Sequence, residues 1–344
     1  MRLFGKLLAT ALPLALVAGC NGQSRDQIKV VGSSTVYPFT TAVAEQFVNK
    51  HSNMKAPVVE STGTGAGINQ FCAGVGPQTP DILNASRRIK KSEYETCRSN
   101  GVTEIMELQI GTDGIALAEA NNGPKLQLTR QDLYLALAAT PKGQKNAAKT
   151  WKDVNPALPA IPIQVYGPPA TSGTRDSFAE LILEPGCEAV SPEMKALKIA
   201  DMDRYKAACS KIRDDGAYVD KGENDNLIVQ NLAANPNAVG IFGYSYLEEN
   251  KDRLHGVPIE GIAPTYETIA MSSYPGSRPL FLYVKKAHLK AVPGLKEFLD
   301  TYKEAWKADG PLVKRGLIAS TKSARFKSEE ALLGGVALDP ATLK

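Results

Sequence analysis

Short apolar runs alternate with helix-period stretches along most of this chain. Lys29-Val30-Val31, Val58-Val59-Glu60, Asp81-Ile82-Leu83-Asn84-Ala85 and Ile161-Pro162-Ile163-Gln164-Val165-Tyr166 each read as a strand. The first is followed by a helical pattern to about Lys50, the second by one through Ile68 and Phe71, and the last by one over 178–183. Ser92-Glu93-Tyr94-Glu95 has the spacing of a capping box. So does Thr129-Arg130-Gln131-Asp132 ahead of the apolar run 133–138, with Asp132 in the Glu/Gln place. Leu295, Phe298, Leu299, Tyr302 and Trp306 make a helical stripe over 295–307, which reads as core. Residues 121–124 and 141–145 read as surface loops, and 272–279, rich in Ser, Pro and Gly, as a crossover between domains. Alternation of strand and helix patterns predicts an α/β fold.

The strand ends carry the candidate chemistry. Gly32-Ser33-Ser34-Thr35-Val36-Tyr37-Pro38 follows the first strand, and Ser61-Thr62-Gly63-Thr64-Gly65-Ala66-Gly67 the second. Ser86-Arg87-Arg88 follows the third, and Thr171-Ser172-Gly173-Thr174-Arg175 the last. A Ser-Gly-Thr turn at a helix start offers backbone N–H groups and hydroxyls at the positive end of the helix dipole, and Arg175 adds charge. In open α/β sheets ligands sit beyond the carboxyl ends of strands, so four such turns point to a small-anion pocket. Each turn by itself is equally an ordinary helix cap. The chain has no G-x-x-x-x-G-K-S/T loop, and Ile68 stands where G-x-G-x-x-G requires its last glycine, which argues against a nucleotide site.

Residues 1–20 read as an export leader, with Arg2 and Lys6 ahead of an apolar stretch over 7–18 that is too short to span a membrane. It ends Leu16-Val17-Ala18-Gly19-Cys20, which resembles a bacterial lipobox and makes Cys20 the expected lipidation site; the other reading is a plain signal peptide. Of five cysteines, that leaves Cys72, Cys97, Cys187 and Cys209. Their spacing suggests the local disulfides Cys72–Cys97 and Cys187–Cys209, among three connectivities, with reduced buried thiols as the alternative. No C-x-x-C or His pair is present, which argues against a metal. The formal charge of +4 falls to about +2 once Arg2 and Lys6 are removed, too little to imply a nucleic-acid partner. The mature length suits two domains.

Taken in order, these segments resemble the periplasmic phosphate-binding protein of bacterial ABC phosphate importers, over nearly the whole mature chain. Gly32-Ser33-Ser34-Thr35 is similar to that family's first phosphate loop, residues 63–67 to its glycine-rich second, 81–90 to its third and 171–175 to its fourth. Asn224-Asp225-Asn226 with Val239-Gly240-Ile241-Phe242-Gly243-Tyr244 matches a late helix-to-strand segment, and 274–280 the returning crossover. The resemblance implies a two-lobed type II periplasmic binding protein, its ligand cleft between lobes and its chain crossing twice. Lobe one would be 24–110 plus 277–344, and lobe two 111–276. The implied phosphate ligands are Ser34, Thr35, the Val36 amide, Thr64, the Gly65 amide, Ser86, Arg87, Ser172, Gly173, Thr174 and Arg175. Many members carry Asp at the Ser86 position, where it accepts the proton of phosphate and so rejects sulfate; Pro168 stands where some carry Arg. A branch with Ser-Arg in the third loop and Arg after Gly-Thr is the better match, with Arg87 and Arg175 as charge partners; Arg88 reads as a surface residue.

The expected function is therefore extracytoplasmic capture of inorganic phosphate for a membrane ABC permease. The protein would be a non-catalytic periplasmic monomer without cofactor, held to the membrane by its N-terminal lipid. The alternatives are a receptor for sulfate, molybdate or a phosphonate, a secreted phosphatase-like or acyl-transfer enzyme using Ser172 or Ser34, and a structural lipoprotein. Against the enzyme stand the absence of a G-x-S-x-G elbow, of a histidine close in sequence to either serine, and of metal ligands.

Overall fold

A computed structural model describes residues 25–222 and 224–343; the leader and Cys20 lie outside the described residues. The four runs read as strands form β1 (Lys29–Gly32), β2 (Val58–Ser61), β3 (Ile82–Ala85) and, further on, β5 (Val165–Gly167). The other strands are β4 (Ile105–Ala120), β6 (Tyr218–Asp220), β7 (Val239–Gly243), β8 (Leu254–Gly256) and β9 (Ser277–Lys285). Their order is β2-β1-β3-β9-β4-β7-β5-β6, with β8 also beside β4. β2, β1 and β3 are parallel, as are β7, β5 and β6. Between these halves β9 runs antiparallel to β3 and β4, and β4 antiparallel to β7. The result is a two-lobed α/β fold whose halves share β4 and β9.

The apolar residues sort the same way. Along β9, Leu280, Leu282 and Val284 pack with Phe47, Phe298 and Trp306, while Phe281 and Tyr283 pack on the opposite face with Phe71, Ile89 and Tyr94. That is the period-two alternation of a strand covered on both faces. A separate core gathers Leu117, Leu133, Trp151, Phe178 and Phe242 from the far half, with Ile318 from the C-terminal region. The 295–307 stripe is core as read: Leu295, Phe298, Leu299, Tyr302 and Trp306 are all fully buried.

At the junction Thr112 of β4 faces Pro279 of β9, and Asp113 faces Arg278. A proline inside a strand removes a ladder donor. Here Thr112 turns both backbone groups away from β9, donating to Ile318 O at 2.8 Å and accepting from Ile318 N at 3.0 Å, so Pro279 orphans nothing.

Two helix starts differ from the sequence reading. The helix Lys91–Ser99 is closed at its start by Glu93, whose carboxylate accepts from Lys90 N at 2.8 Å; Ser92 lies inside the helix. The pattern over 178–183 belongs to a helix that already begins at Gly173, because Ser172 caps it, and that widens to a π-turn over Ala179–Leu183. Thr129 and Asp132 form the capping box their spacing predicts. The cysteines pair as Cys72–Cys97 and Cys187–Cys209. Among the described residues no helix is long and apolar enough to cross a membrane.

Glu119 near the end of β4 is fully buried, and burial pushes its carboxyl up to about 6. A carboxyl whose folded value exceeds its unfolded one binds its proton more tightly in the native state, so stability is lost as pH rises through the window from the usual 4.5 to about 6. Glu119→Gln is accordingly expected to stabilise the protein by about 1–2 kcal/mol at pH 7.5, and by nothing near pH 4. Urea titrations at the two pH values check this.

Candidate functional site

The parallel order of β2, β1 and β3 brings the turns 62–64, 33–36 and 86–88 to one carboxyl edge of the sheet. Two glycines permit the close approach. Gly32 has φ +129°, and a Cβ there would stand 2.1 Å from the Asn84 carbonyl oxygen; a Cβ on Gly67 would stand 2.6 Å from Gly32 Cα. Ser33 N donates to Asn84 O at 2.9 Å, and the Thr62 and Gly63 amides donate to Gly32 O at 2.9 and 2.8 Å. Backbone bonds thus fix the turn after β1, and the hydroxyls of Ser34 and Thr35 are left for other partners.

On the other lobe, residues 168–172 lead from β5 into the helix starting at Gly173. Ser172 Oγ accepts from Thr174 N at 3.2 Å, so this amide is already capped. Arg175 lies over the Tyr218 ring, 4.4 Å from its centroid. Its Nη1 donates to Pro168 O at 3.4 Å, and Tyr218 Oη donates to the same carbonyl at 2.6 Å. Arg175 therefore braces the loop from behind.

Arg278 joins the two sides. It is only 7% exposed. Its Nη2 donates to Thr35 Oγ1 at 2.6 Å and to Ser177 Oγ at 2.7 Å, its Nε to Asp113 Oδ2 at 3.3 Å, and its Nη1 pairs with Glu180. Because Thr35 Oγ1 accepts from Arg278, its own O–H is directed elsewhere, toward an acceptor. Ser177 Oγ likewise accepts from Arg278, and its proton serves Asp113 Oδ2 at 2.7 Å or Gly173 O at 3.0 Å. Ser34 hydrogen-bonds Asp176, whose carboxyl is raised by burial and then by the nearby charge of Glu180.

These groups border a cleft of about 310 Å³ lined by Ser34, Thr35, Pro38, Phe39, Asp113, Gly173, Thr174, Ser177 and Arg315. Loops about 140 residues apart in sequence, one from each lobe, meet there.

Of the residues the sequence singles out, Ser34, Thr35, Gly173 and Thr174 line the cleft, and Ser172 caps the helix beside it. Val36 is buried, with its amide 3.4 Å from Ser33 Oγ. Thr64 and Ser86 bond one another at 3.1 Å on the β2–β3 side of the edge, and Gly65 lies in the first turn of the helix Thr64–Phe71; these three do not line the cleft. Nor does Arg87, which makes a two-pronged pair with Glu93 at 2.7 and 2.9 Å. Arg88 is on the surface with Glu107 and Thr342, as read. Arg278, Ser177, Glu180 and Arg315 are functional candidates that sequence reasoning passed over. The signal for Arg278 was a lone charge opening the apolar run Leu280–Val284 inside the segment read as a crossover.

Chemically, the cleft offers hydroxyl and amide donors backed by the buried guanidinium of Arg278, which bonds the lining residues Thr35, Ser177 and Asp113, a set suited to holding an oxyanion. No group of three or more His, Cys, Asp or Glu among the described residues is arranged to hold a metal. The histidines lie apart from Ser34 and Ser172: His51 against Phe47, His255 beside Glu119, and His288 between Asp81 and Val75 O.

A sequence model described as a PBP superfamily domain matches residues 21–301. Protein SphX of Synechococcus elongatus is 30% identical over 348 residues, covering 96% of this chain and 92% of that protein. The phosphate-binding protein PstS of Staphylococcus saprophyticus is 30% identical over 312 residues, covering 87% of this chain and 84% of that one. Among solved structures, a possible phosphate binding protein from Planctomyces limnophilus superposes with a TM-score of 0.72 at 29% identity, covering 90% of this chain and 98% of its own. An ABC-type phosphate transport receptor from Vibrio cholerae shares the fold, with a TM-score of 0.56 at 24% identity, over 85% of this chain and 99% of its own.

Proposed function

Since the chain belongs to the PBP superfamily and, within it, to the PstS-like family of phosphate-binding proteins, we propose that it captures inorganic phosphate outside the cytoplasm and delivers it to a membrane ABC permease. The observation that carries this reading is the meeting of Thr35, Gly173 and Thr174 at one cleft between the halves, with Arg278 hydrogen-bonded to Thr35 behind the lining. In this reading residues 24–110 with 277–344, and residues 111–276, are the lobes, and they close over the ligand about β4 and β9 by a hinge motion. The first-turn groups of the helix at Gly173 and the hydroxyls of Ser34, Thr35 and Ser172 donate to the anion; Thr64, the Gly65 amide, Ser86 and Arg87, on the same lobe as Thr35, are the remaining ligands of this reading. Arg175 holds the loop that presents Ser172. The protein acts without catalysis, as a monomer anchored through Cys20.

The energetics suffice. Micromolar affinity requires about 8 kcal/mol. Hydrogen bonds to a charged ligand contribute about 1.5–3 kcal/mol each before ordering costs, so five or six reach it. Calorimetric titration of the mature chain with phosphate, sulfate and molybdate tests the assignment, with phosphate expected to bind at micromolar concentration or below. No heat at millimolar phosphate would end it. Thr35→Val removes one hydroxyl donor and is expected to weaken phosphate about tenfold, or about 1.4 kcal/mol, in the same titration.

A further inference from the structure

Resting on the anchoring through Cys20 read above, we propose that the outer face of the helix Lys322–Gly334 on lobe one is a membrane-binding surface that lays this lobe against an anionic phospholipid bilayer. The two lobes differ in charge. Residues 24–110 with 277–344 hold 22 Lys and Arg against 15 Asp and Glu, while residues 111–276 hold 16 against 21. Lobe one is therefore +7 and lobe two −5, although the mature chain as a whole is close to neutral. The excess is concentrated, since residues 285–327 carry eleven Lys and Arg and only four Asp and Glu. A negatively charged plane attracts lobe one and repels lobe two, which orients the molecule before contact is made.

The helix supplies the contact. Its inner face closes the open edge of β4. Over 105–110 that strand pairs with β9 alone among the described residues. Ser328 Oγ accepts from Gln109 N at 2.9 Å, and its proton serves Gln109 O or Ala324 O, both at 3.1 Å. Ala331 and Leu332 pack on the lobe-one core. The outer face of such a helix is ordinarily polar. Here Phe326 and Leu333 are 66% and 72% exposed, and Val336, just past the helix end, is 51% exposed. Phe326 and Leu333 are seven residues apart, two turns, and share one face. Lys322 and Lys327 flank that face, both exposed, and Glu330 lies between the two apolar residues. Single exposed apolar residues are ordinary. An apolar stripe bordered by lysines is what an interfacial helix presents, with the apolar groups entering the headgroup boundary and the ammonium groups meeting lipid phosphate.

The chain's attachment point is on the same side. β1 and β3 begin, β9 ends and β4 begins at one pole of lobe one, where Lys285 N donates to Asp81 O, Lys286 N to Glu104 O and Leu338 N to Ile105 O, at 3.1, 3.1 and 2.7 Å. Arg25 is fixed there by Asp81 and by the carbonyls of Pro77 and Thr79 at 2.8 and 3.0 Å. The helix Lys322–Gly334 runs toward this pole and ends beside the start of β4. β1 and β4 are three strand spacings apart, about 15 Å. Five residues join Cys20 to Arg25, a reach of at most about 18 Å. A lipid on Cys20 therefore brings this pole, and the end of the apolar stripe with it, against the bilayer. The anchor supplies retention, and the patch supplies orientation.

The test uses the mature chain with Cys20→Ser, which cannot be acylated, in co-sedimentation with vesicles of phosphatidylcholine and of phosphatidylcholine with phosphatidylglycerol in equal parts. At low ionic strength this protein is expected to bind the anionic vesicles at least tenfold more tightly than the neutral ones, and to lose the difference at about 0.5 M salt. Lys322→Glu with Lys327→Glu is expected to weaken anionic binding at least tenfold, and Phe326→Ser with Leu333→Ser at least fivefold. The four positions are exposed, and unchanged phosphate affinity by calorimetry verifies that each variant is folded. Equal binding to the two kinds of vesicle overturns the proposal, as does binding unchanged within twofold in both double variants. Dimerisation abolished by Leu333→Ser, without vesicle binding, also overturns it and gives the face to a second copy of the chain. Phosphate calorimetry on the same samples reads the capture function separately, so a protein that binds vesicles and no phosphate ends that reading and supports this surface. Mass spectrometry of the native protein reads the anchor. A Cys20 without lipid overturns the anchoring, and vesicle binding by the Cys20→Ser protein then decides for the surface by itself.

Discussion

Arg278→Met is expected to lose phosphate binding by more than a hundredfold and to destabilise the protein by about 3 kcal/mol. The two effects have one origin. The guanidinium holds Thr35 from the loop after β1, Ser177 and Glu180 from the helical segment after Gly173, and Asp113 from β4. Removing it leaves the Asp113 carboxylate part-buried without its cation, and breaking a buried pair from one side costs about 3–5 kcal/mol. The lower figure applies because Glu180 is half-exposed and regains water. Binding suffers further because Thr35 and Ser177 lose the donor that orients their hydroxyls. Arg278→Lys keeps the charge but not the planar fork, so it is expected to recover stability more than affinity. Urea denaturation and phosphate calorimetry on both variants give the comparison. Wild-type affinity in Arg278→Met would remove this residue from the site.

Arg278 also shows where sequence reading reaches and where it stops. Local signals carried the fold well. Alternating apolar runs marked β1, β2, β3 and β5, and an i, i+3, i+4, i+7 stripe marked the helix from Leu295. The turn residues of the loops at Ser34-Thr35 and Ser172-Gly173-Thr174 were equally visible, because hydroxyls and glycines at strand ends are a local chemical pattern. What was not local was invisible. Arg87 and Arg175 lay inside recognisable motifs and drew attention as cations. Their partners, Glu93 and Tyr218, are fixed by helix geometry and by strand pairing, and neither follows from motif spacing. Arg278 belonged to a segment read only as a connection. Its importance comes from an antiparallel register that sets it opposite Asp113, 165 residues away. The capping box near Ser92 failed for a related reason. Two overlapping frames, Lys90 to Glu93 and Ser92 to Glu95, were available; the structure uses the first, where Glu93 both closes the helix and holds Arg87.

Gly32→Ala is the second change with a large expected effect, and it tests whether the turn after β1 is built for the site or merely tolerated by it. Two penalties add. The backbone at φ +129° lies where a side chain is strained, at about 1–3 kcal/mol. The new methyl would also stand 2.1 Å from a backbone oxygen, Asn84 O, that cannot swing aside as a flexible side chain does; overpacking of this kind costs about 1–3 kcal/mol. A total of about 3–4 kcal/mol is expected. The chain can relieve the clash only by moving β1 from β3 or by re-forming the turn, and either displaces Ser34 and Thr35. Phosphate affinity should therefore fall together with stability. Gly65→Ala, beside the neighbouring turn after β2, is the matched control. Its added methyl meets nothing within 4 Å, and it sits in the first turn of a helix, where alanine is favoured. It should leave stability unchanged or raise it slightly, with the Gly65 amide still present to bind. Loss of phosphate in Gly32→Ala measured under conditions where the variant remains folded, beside retention in Gly65→Ala, would assign the effect to the geometry of the first loop. If Gly32→Ala kept both its stability and its affinity, the close packing of this turn on β3 would have no part in holding the ligand.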